Sequence, residues 1–589
     1  MGTSEIFSLS LPTFLRIPIE FLLGIFSLRK IYHASISRNL NIYDAIIDVM
    51  NIDVQTNRRE MLKIPKAGAC MIIANHPYGC VEGIAIMKTL SAFRDDVKIV
   101  ANRLLDCVPE FSESMIFVDT NESEYSRTLN SLALKSSIDW LRSGGMIIVF
   151  PAGEVSLYSF KSKSVEDKEW HSTFLSIALK TRATIIPAFI HGSNSVIFQI
   201  VGLMNSKLKL LLLINEFLRK RNTSLKISFG KPISDRNILG KSLDEVMDFV
   251  RKRVYLLQHK SDEVLTNSDF HLTVGESIAE PVSKHLLQAN IDQLDKNILL
   301  THGEFTVYFA HYDELPYCIL ELGRLRELSF RLAGEGTGKP TDSDIYDMYY
   351  VHIFIWDKQK NEIVGAYRIG KTNEILSQYG IEGLYTSTLF DIDNSVAEVL
   401  NYSLELGRSF VHPEYQKSYL PLLLLWKGIA AYIAKHPQYR FLFGAVSISS
   451  EFTVLSKAII VHYLQGNYSC TDSCFEAIRG KNTKSLHTMK ETYKDFVVKN
   501  NPESLEDLHD IVVNLESDGN GIPPLIKHYI KLGGKFAAFS IDSTFNNCID
   551  ALVIVDLMDT ETTILRKYMS EHTQVYYSYH KDETTNNMN

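Results

Sequence analysis

The stretch from Met71 to Leu90 constrains the fold of this chain most strongly. It predicts a short buried β-strand, Met71 to Ala74, then a turn that carries His76, and then a helix. Apolar runs alternate with helical stretches from there to about Ile233, which predicts an α/β layer structure with its active groups at strand ends. The later strands are expected at Lys98 to Ala101, Met115 to Val118, Met146 to Phe150, Thr184 to Phe189 and Leu225 to Phe229.

His76 is the candidate base at the first of these strand ends. A histidine beside a glycine is more often a turn residue than a catalyst. Here Glu82 enters the following helix and would hold one ring nitrogen while the other takes a proton from a hydroxyl. Three further stretches favour catalysis, and they are Lys98 to Arg103, Phe150 to Glu154, and Ile185 to Phe189 with its continuation His191 to Ser195.

In this order and spacing, the four stretches resemble the four blocks of the glycerolipid (lysophosphatidate-type) acyltransferases. The usual first block is N-H-x4-D, whereas five residues separate His76 from Glu82. That longer form resembles the branch of hemolysin-like or phospholipid acyltransferases. The third block is normally F-P-E-G, and here Ala152 replaces the glutamate and Glu154 follows the glycine. The histidine base is retained, and the identity of the acceptor stays open.

The resemblance implies a role for each block. His76 would be the general base and Glu82 its orienter. Arg103 and the turn from Gly153 to Ser156 would bind the acceptor's anionic head or the phosphopantetheine of a carrier, with a surface ion pair as the alternative for Arg103. The residues expected to bind substrate in this domain are Asn75, Arg103, Pro151, Gly153, Glu154, Ser156 and Pro187.

Length and charge set the wider organisation. At 589 residues the chain is too long for a single core, so two domains are expected. Residues 1–260 carry 33 Lys and Arg against 25 Asp and Glu, or +8, which leaves 28 against 44, or −16, for the remainder. The basic half suits an anionic membrane surface, and the acidic half argues against nucleic acid as a partner. The seven cysteines show no paired metal spacing, so no metal is expected.

Two apolar segments suggest contact with a membrane. Leu9 to Leu28 is interrupted by Pro12 and Arg16, and Val196 to Leu218 is followed by three basic residues, 219–221. Neither is a clean transmembrane span, and both suit an interfacial segment, with a core helix carrying basic ends as the alternative. We therefore expect peripheral or shallow attachment to the cytoplasmic face of the inner membrane.

A second set of motifs begins near residue 290. Leu322 to Phe330 predicts a helix, Tyr350 to Trp356 and Glu362 to Arg368 a strand hairpin, and Leu420 to Ala434 a helix that precedes another strand. This order resembles the GNAT N-acyltransferase core. The L-R-x-x-x-F, D-x-x-D, G-x-Y-R and E-L-G-R-S-F-V elements are similar to those of acyl-homoserine-lactone synthases and ornithine N-acyltransferases. The segment Gly521 to Leu557 favours the latter.

Acyl transfer to an amine needs a neutral amine, a polarised thioester and a held carrier arm. Glu405 would accept the ammonium proton. Arg408 or Arg326 would pair with an amino-acid carboxylate or a carrier phosphate, and Asp347 would bind an ammonium. Arg368, in the G-x-Y-R element, is also expected to bind substrate. The alternative is that Glu405 and Arg408 form only an i, i+3 pair.

Taken as a whole, the chain resembles the bifunctional ornithine-lipid synthases of bacteria. The resemblance implies that the C-terminal domain joins a 3-hydroxyacyl group, delivered by acyl-carrier protein, to ornithine, and that the N-terminal domain esterifies the new 3-hydroxyl. No cofactor beyond the carrier is implied. The alternatives are a lysophospholipid acyltransferase with an inactive GNAT-like domain and a hemolysin-like membrane-active protein. The expected ranges are a membrane-associated helical segment at 1–60, the O-acyltransferase domain at 61–260, a linker at 261–289, the N-acyltransferase domain at 290–560, and a C-terminal segment at 561–589 that ends in a disordered polar tail.

Overall fold

The computed structural model describes residues 20–586 except 22, 120–122, 261–275, 472–474 and 476. These residues form two compact units. The first contains the residues up to 260 together with the segment Val513–Asn520, and the second contains residues 276–512 and those from Gly521 onward. Much of the apolar segment Leu9 to Leu28 and most of the predicted linker lie outside the described residues.

The first unit is built on one parallel sheet with a single antiparallel pair. Its described strands are, in chain order, β1 Asp53–Thr56, β2 Cys70–Ala74, β3 Val97–Asn102, β4 Met115–Val118, β5 Met146–Val149, β6 Leu157–Ser159, β7 Ser164–Glu166, β8 Thr184–Ile190 and β9 Ser224–Phe229. Seven of them form the sheet in the order β1-β9-β8-β2-β5-β3-β4, while β6 and β7 form a separate hairpin. Only β8 and β9 run antiparallel within the sheet.

Helices cover this sheet on both faces because its central strands are apolar throughout. Successive side chains of a strand point to opposite faces. Ile72 accordingly joins a core with the helix Val81–Ser91, and Ile73 joins another with the helix Leu243–Leu256. The described helices of this unit are Ile25–Ile36, Ile42–Met50, Arg58–Met61, Val81–Ser91, Glu124–Arg142, Thr173–Thr181, Val196–Met204, Ser206–Leu218, Asp235–Ile238 and Leu243–Leu256.

The second unit is built on an eight-stranded, mostly antiparallel sheet. Its described strands are β10 Ile298–His302, β11 Phe305–Ala310, β12 Val351–Asp357, β13 Glu362–Lys371, β14 Phe390–Ile392, β15 Ser403–Val411, β16 Phe441–Ile448, β17 Ile478–Gly480, β18 Lys535–Asp542 and β19 Cys548–Asp556. The sheet has the order β10-β11-β12-β13-β15-β16-β19-β18, and β14 and β17 pair separately. Its one parallel pair is β15 with β16.

Helices also flank the second sheet. The long apolar helix Leu420–Lys435 connects the two parallel strands β15 and β16, as a parallel crossover requires. The described helices of this unit are Lys284–Ile291, Cys318–Leu332, Thr372–Tyr379, Ala397–Leu400, Leu420–Lys435, Val454–Asn467, Lys484–Thr492, Lys494–Lys499, Pro524–Lys531, Thr562–Met569 and His572–Asn586, together with Leu505–Leu515, whose residues from Val513 onward belong to the first unit.

Three expectations about the chain's periphery are wrong. The described part of 1–60 is not a separate helical segment, because β1 pairs with β9 inside the first sheet. The predicted linker includes part of the helix Lys284–Ile291. The polar tail, expected to be disordered, forms the helix His572–Asn586. Its Tyr576 is buried and donates a hydrogen bond to the Tyr439 carbonyl at 3.0 Å, so aromatic anchoring offsets the polar composition.

No helix within the described ranges combines the length and the apolar character that crossing a bilayer requires.

Candidate active sites

His76 lies just beyond the end of β2 and faces a buried carboxylate. Its Nδ1 is 3.0 Å from Oε1 of Glu82. The same oxygen accepts hydrogen bonds from the backbone N–H groups of Tyr78 and Gly79 at 2.8 and 2.7 Å. Glu82 is fully buried in the first turn of the helix Val81–Ser91, where the helix dipole favours a negative charge. The carboxylate is therefore fixed, and it directs Nε2 of the imidazole away from itself.

The charges of this pair support each other. Burial lowers the pKa of His76, but the Glu82 carboxylate outweighs burial and holds the pKa above the ordinary imidazole value. Burial raises the pKa of Glu82, yet His76 and the Gly79 N–H keep that pKa below its usual range. Glu82 consequently remains ionised, and the imidazole is a stronger base than a solvated histidine.

Asp167 is a second carboxylate beside His76 that the sequence reasoning missed. It accepts the His76 backbone N–H at 3.2 Å and the Trp170 Nε1–H at 2.9 Å, and it also accepts the Ser156 hydroxyl. The Ser156 N–H donates to the His76 carbonyl at 2.9 Å. The His76 ring stacks on Phe150 with centroids 4.5 Å apart. Asp167 and Ser156 thus position the backbone on which His76 stands.

Two residues predicted to bind substrate have structural roles in the sheet. The Asn75 amide accepts from the Ile190 N–H at 2.7 Å and donates to the Ile190 carbonyl at 3.0 Å, so it ties the ends of β2 and β8 together. Pro187 lies inside β8 opposite Ile73, three residues before the strand ends. We therefore assign positioning, rather than substrate contact, to Asn75 and place Pro187 in the sheet.

The loop after β5 carries three further predicted residues. Pro151 is buried, and its carbonyl accepts the His171 N–H at 3.0 Å. Gly153 is exposed with φ +64°, a conformation that favours glycine. Glu154 is held between two lysines, with Lys168 Nζ at 2.8 Å and Lys209 Nζ at 2.6 Å. The extra glutamate of this block therefore neutralises cations of the protein itself.

Arg103 lies apart from this arrangement. It is half-buried, and its guanidinium lies 4.8 Å from the centroid of the Tyr125 ring. Across the described ranges it contacts neither His76 nor Glu82. The structure brings together the His76 turn and the Glu154 loop, whereas Arg103 follows the end of β3, two strands away from β2 in the sheet.

In the second unit, Arg326 and Asp347 pair with each other. The Arg326 guanidinium donates to both oxygens of Asp347, at 2.8 and 2.7 Å, and both residues are 2% exposed. Arg326 and Arg368 hold the pKa of Asp347 far below its usual range against the effect of burial. In this structure Arg326 and Asp347 neutralise each other, and the expectation that Arg326 binds a carboxylate and Asp347 an ammonium stays a prediction.

Arg368 and Arg408 are the other two guanidinium groups of this site. Arg368 pairs with Asp344 and, at 3.0 Å, with Asp347 through Nη1, while its Nε and Nη2 have no hydrogen-bond partner among the described residues. Arg408 Nε lies 3.0 Å from Asp342, and its Nη1 donates to the Tyr385 hydroxyl at 3.0 Å. Arg368 therefore retains donors for an incoming anion.

A β-bulge places Arg408 on this face of the sheet. Gly407 and Phe410 of β15 stand opposite Arg368 and Ala366 of β13, so β15 contains one extra residue. Arg408 absorbs it with φ +50°. Because Glu405 and Arg408 lie on a strand, the alternative of a helical i, i+3 pair is wrong.

Glu405 stands where β15 and β16 separate. The two strands pair only from Ser403 with Phe441 to Glu405 with Phe443, although both continue well beyond. Glu405 is 1% exposed, accepts the Tyr350 hydroxyl and accepts the Thr386 N–H at 2.6 Å. Burial raises the pKa of Glu405. Beyond it, the facing edges of the two described strands do not pair with each other.

Comparison with known proteins agrees with two acyl-transfer sites. Residues 42–264 match a family described as Acyltransferase, and residues 325–426 match one described as Acetyltransferase (GNAT) domain. The chain is 30% identical over 281 residues to a glycine N(alpha)-acyltransferase of Phocaeicola vulgatus, covering 45% of this chain and 83% of that protein. The chain belongs to the family of this N-acyltransferase.

Two further relatives represent both kinds of transfer. The chain is 26% identical over 189 residues to a lyso-glycine lipid O-acyltransferase of Phocaeicola vulgatus, covering 31% of this chain and 65% of that one. It is 27% identical over 253 residues to an L-ornithine N(alpha)-acyltransferase of Agrobacterium fabrum, covering 42% and 76%. This acyltransferase is an enzyme in which an acyltransferase domain and a GNAT domain are fused.

The Glu82 carboxylate predicts a pH effect. A base works in its neutral form, so activity is lost as the pH falls through the His76 pKa. Glu82→Gln removes the charge that raises this pKa, and burial then lowers it. We expect the acid limb of kcat/KM for O-acylation to move to lower pH by about 1 unit or more and the plateau to fall. A pH profile measures both, with Glu110→Gln as the control. An unmoved acid limb would show that Glu82 does not tune His76.

Proposed function

We propose that this enzyme makes a phosphate-free aminolipid by two successive acyl transfers. The second unit transfers a 3-hydroxyacyl group from acyl-carrier protein to the amine of ornithine. The first unit then transfers a second acyl group to the 3-hydroxyl of that lyso-lipid. The observation that carries the proposal is the His76–Glu82 pair, held at 3.0 Å inside a chain that also contains an amine-acylating fold.

In the amide-forming step, the neutral amine attacks the thioester carbonyl and the carrier thiolate leaves. The carrier arm lies along the gap between β15 and β16, and the amino-acid carboxylate pairs with the unpartnered donors of Arg368. The amine loses a proton to the Tyr350 hydroxyl, which passes its own proton to Glu405. The raised pKa of Glu405 suits a proton acceptor of this kind.

In the ester-forming step, Nε2 of His76 removes the proton of the 3-hydroxyl as the oxygen attacks a second thioester. The imidazolium is stabilised by Glu82, and it returns the proton to the departing thiolate. No covalent enzyme intermediate is needed. Lys168 and Lys209 are already paired with Glu154, which suits an acceptor that carries no phosphate.

A membrane surface is the proposed location of the second step. The helices Val196–Met204 and Ser206–Leu218 pack through Phe198 and Leu213 against Val155 and Leu157, and Leu213 also lies beside Gly79 in the loop that follows His76. Their outer face is apolar. Exposed basic side chains lie on the β6–β7 turn and directly after the second helix. The exposed apolar residues are Phe160, Val196, Ile197, Ile200, Leu203, Met204, Leu210 and Leu211, and the exposed basic ones are Lys161, Lys163, Arg219 and Arg221.

This apolar face predicts binding to an anionic bilayer. Ile200 and Leu203 are 53% and 46% exposed. We expect Ile200→Glu with Leu203→Glu to weaken binding to vesicles of phosphatidylglycerol and phosphatidylcholine by about tenfold or more, because burying charge in the interface is costly. Vesicle co-sedimentation measures the effect. Leu239→Glu, at a more exposed position just after the helix Asp235–Ile238, is the control. Equal binding of both variants would exclude this face as the membrane contact.

Purified enzyme tests the proposed reactions directly. Incubation with 3-hydroxyacyl-carrier protein and ornithine should give the N-acylated lyso-lipid. Addition of a second acyl-carrier protein thioester should give the diacylated product. Acylation of lysophosphatidate in place of the lyso-aminolipid would contradict the proposal and favour a lysophospholipid acyltransferase.

A further inference from the structure

A second group of buried carboxylates lies on the sheet of the second unit. In strand register, Asp542 stands opposite Cys548 and Ser447 stands opposite Asp550. Cys548 and Asp550 are two residues apart on β19, so all four side chains project from one face. Glu335 lies in the loop after the helix Cys318–Leu332 and reaches this face of the sheet. Its Oε2 accepts the Ser447 hydroxyl at 2.8 Å. Three carboxylates thus converge from three elements.

These carboxylates are buried without a matching ion pair. Glu335, Asp542 and Asp550 are 9%, 4% and 6% exposed. Among the described residues, the donor that contacts the Asp550 carboxylate is the Cys548 thiol, at 3.9 Å, and no ion pair is present. Burial and the neighbouring Asp542 and Glu335 raise the pKa of Asp550 well above its ordinary value, and burial raises the pKa of Glu335 to about 7. A buried carboxylate in this state favours an incoming cation.

The acidic group adjoins the guanidinium groups of Arg408 and, beyond it, Arg368. The Arg408 guanidinium lies 4.6 Å from the Phe545 ring centroid and 4.6 Å from that of Tyr385. Phe545 belongs to the turn that Asp542 caps, since the Asp542 carboxylate accepts the Phe545 N–H at 3.3 Å. Arg368, 1% exposed, holds unpartnered N–H donors beyond Tyr385, whose ring centroid is 5.6 Å from its guanidinium. Arg408 therefore contacts both Tyr385, whose ring adjoins Arg368, and the turn that Asp542 caps.

We propose that Asp550, Glu335 and Asp542 form a subsite for the side-chain ammonium of a diamino acid whose carboxylate is received at the guanidinium side. This inference rests on the N-acylation of ornithine proposed above and adds the residues that recognise the side-chain amine. Glycine has no group that reaches Asp550, so it leaves the buried carboxylate unpaired. A diamino acid supplies the missing cation and gains a charge-assisted hydrogen bond.

A matched pair of substrates tests the subsite. L-Norvaline has the carbon skeleton of L-ornithine without the side-chain amine. With the full-length enzyme we expect kcat/KM for N-acylation to favour ornithine over norvaline by about tenfold or more. Asp550→Asn should remove most of this preference by lowering the value for ornithine alone. Asp391→Asn, an exposed aspartate of the same unit, should preserve it.

Each result decides the question. Wild-type enzyme that acylates norvaline as well as ornithine overturns the subsite and leaves N-acylation intact. An equal loss for both substrates in Asp550→Asn also overturns it, because a structural role would act on both. Wild-type enzyme that acylates neither amino acid defeats the proposed N-acylation itself. Should Asp550→Asn fail to fold, the wild-type ratio of the two substrates still decides.

Discussion

Replacing His76 with alanine is expected to stop the second acyl transfer and leave the first intact, so that the monoacylated lyso-lipid accumulates. General-base catalysis contributes about a hundredfold to ten-thousandfold, and the ester-forming rate should fall within that range. The N-acylating site lies in the other unit and contains none of the residues that contact His76. Lipid extracts from cells that express the variant measure both products together.

The variant also leaves Glu82 buried without its partner. An unpaired buried charge costs about 3–5 kcal/mol, so thermal unfolding must be measured alongside activity. His171→Ala is the matched control. His171 is exposed, and its hydrogen bond to the Pro151 carbonyl is donated by its backbone N–H, which alanine retains. Unchanged diacylated lipid in a folded His76→Ala protein would show that the base is a different group.

Replacing Glu405 with alanine is expected to remove both products from cells. Amide formation supplies the hydroxyl that the other unit esterifies, so loss of the first step starves the second. Alanine also leaves two buried donors, the Tyr350 hydroxyl and the Thr386 N–H, without an acceptor, at about 1–3 kcal/mol each. Synthetic lyso-lipid supplied to the purified variant should restore the diacylated product.

Tyr350→Phe separates proton transfer from structural support. The change removes the hydroxyl that donates to Glu405 and keeps the ring. We expect N-acylation to fall by about a hundredfold. Tyr349→Phe is the control, since the Tyr349 hydroxyl donates to the Gly383 carbonyl at 2.9 Å and not to Glu405. Full activity of Tyr350→Phe would contradict the relay and leave direct proton transfer to Glu405.

The first site shows what sequence reasoning can reach. The buried strand, the turn and the entering helix are continuous in sequence, so the spacing from His76 to Glu82 sufficed to predict their contact at 3.0 Å. Asp167 gave no such signal. It lies 91 residues from His76 within the charged run Glu166 to Lys168, a pattern that equally predicts a solvated turn.

The second site shows where prediction from sequence ends. The E-L-G-R-S-F-V element was identified by resemblance. An arginine with a left-handed backbone conformation is rare, so the bulge that turns the Arg408 side chain inward was unforeseen. Arg326 and Asp347 were expected to meet substrate, since sequence does not show that a guanidinium and a carboxylate 21 residues apart will pair. The acidic group of Asp550 is likewise assembled from separate elements.

The measurement that tests the central claim most directly is a lipid extract. A host that lacks aminolipids would express the chain and receive labelled ornithine. A new phosphate-free lipid that carries the label and two acyl chains is the predicted result, and the His76→Ala variant should give its monoacylated form. Unlabelled lipids with altered phospholipid acyl chains would contradict the account and show that phospholipids are the acceptor.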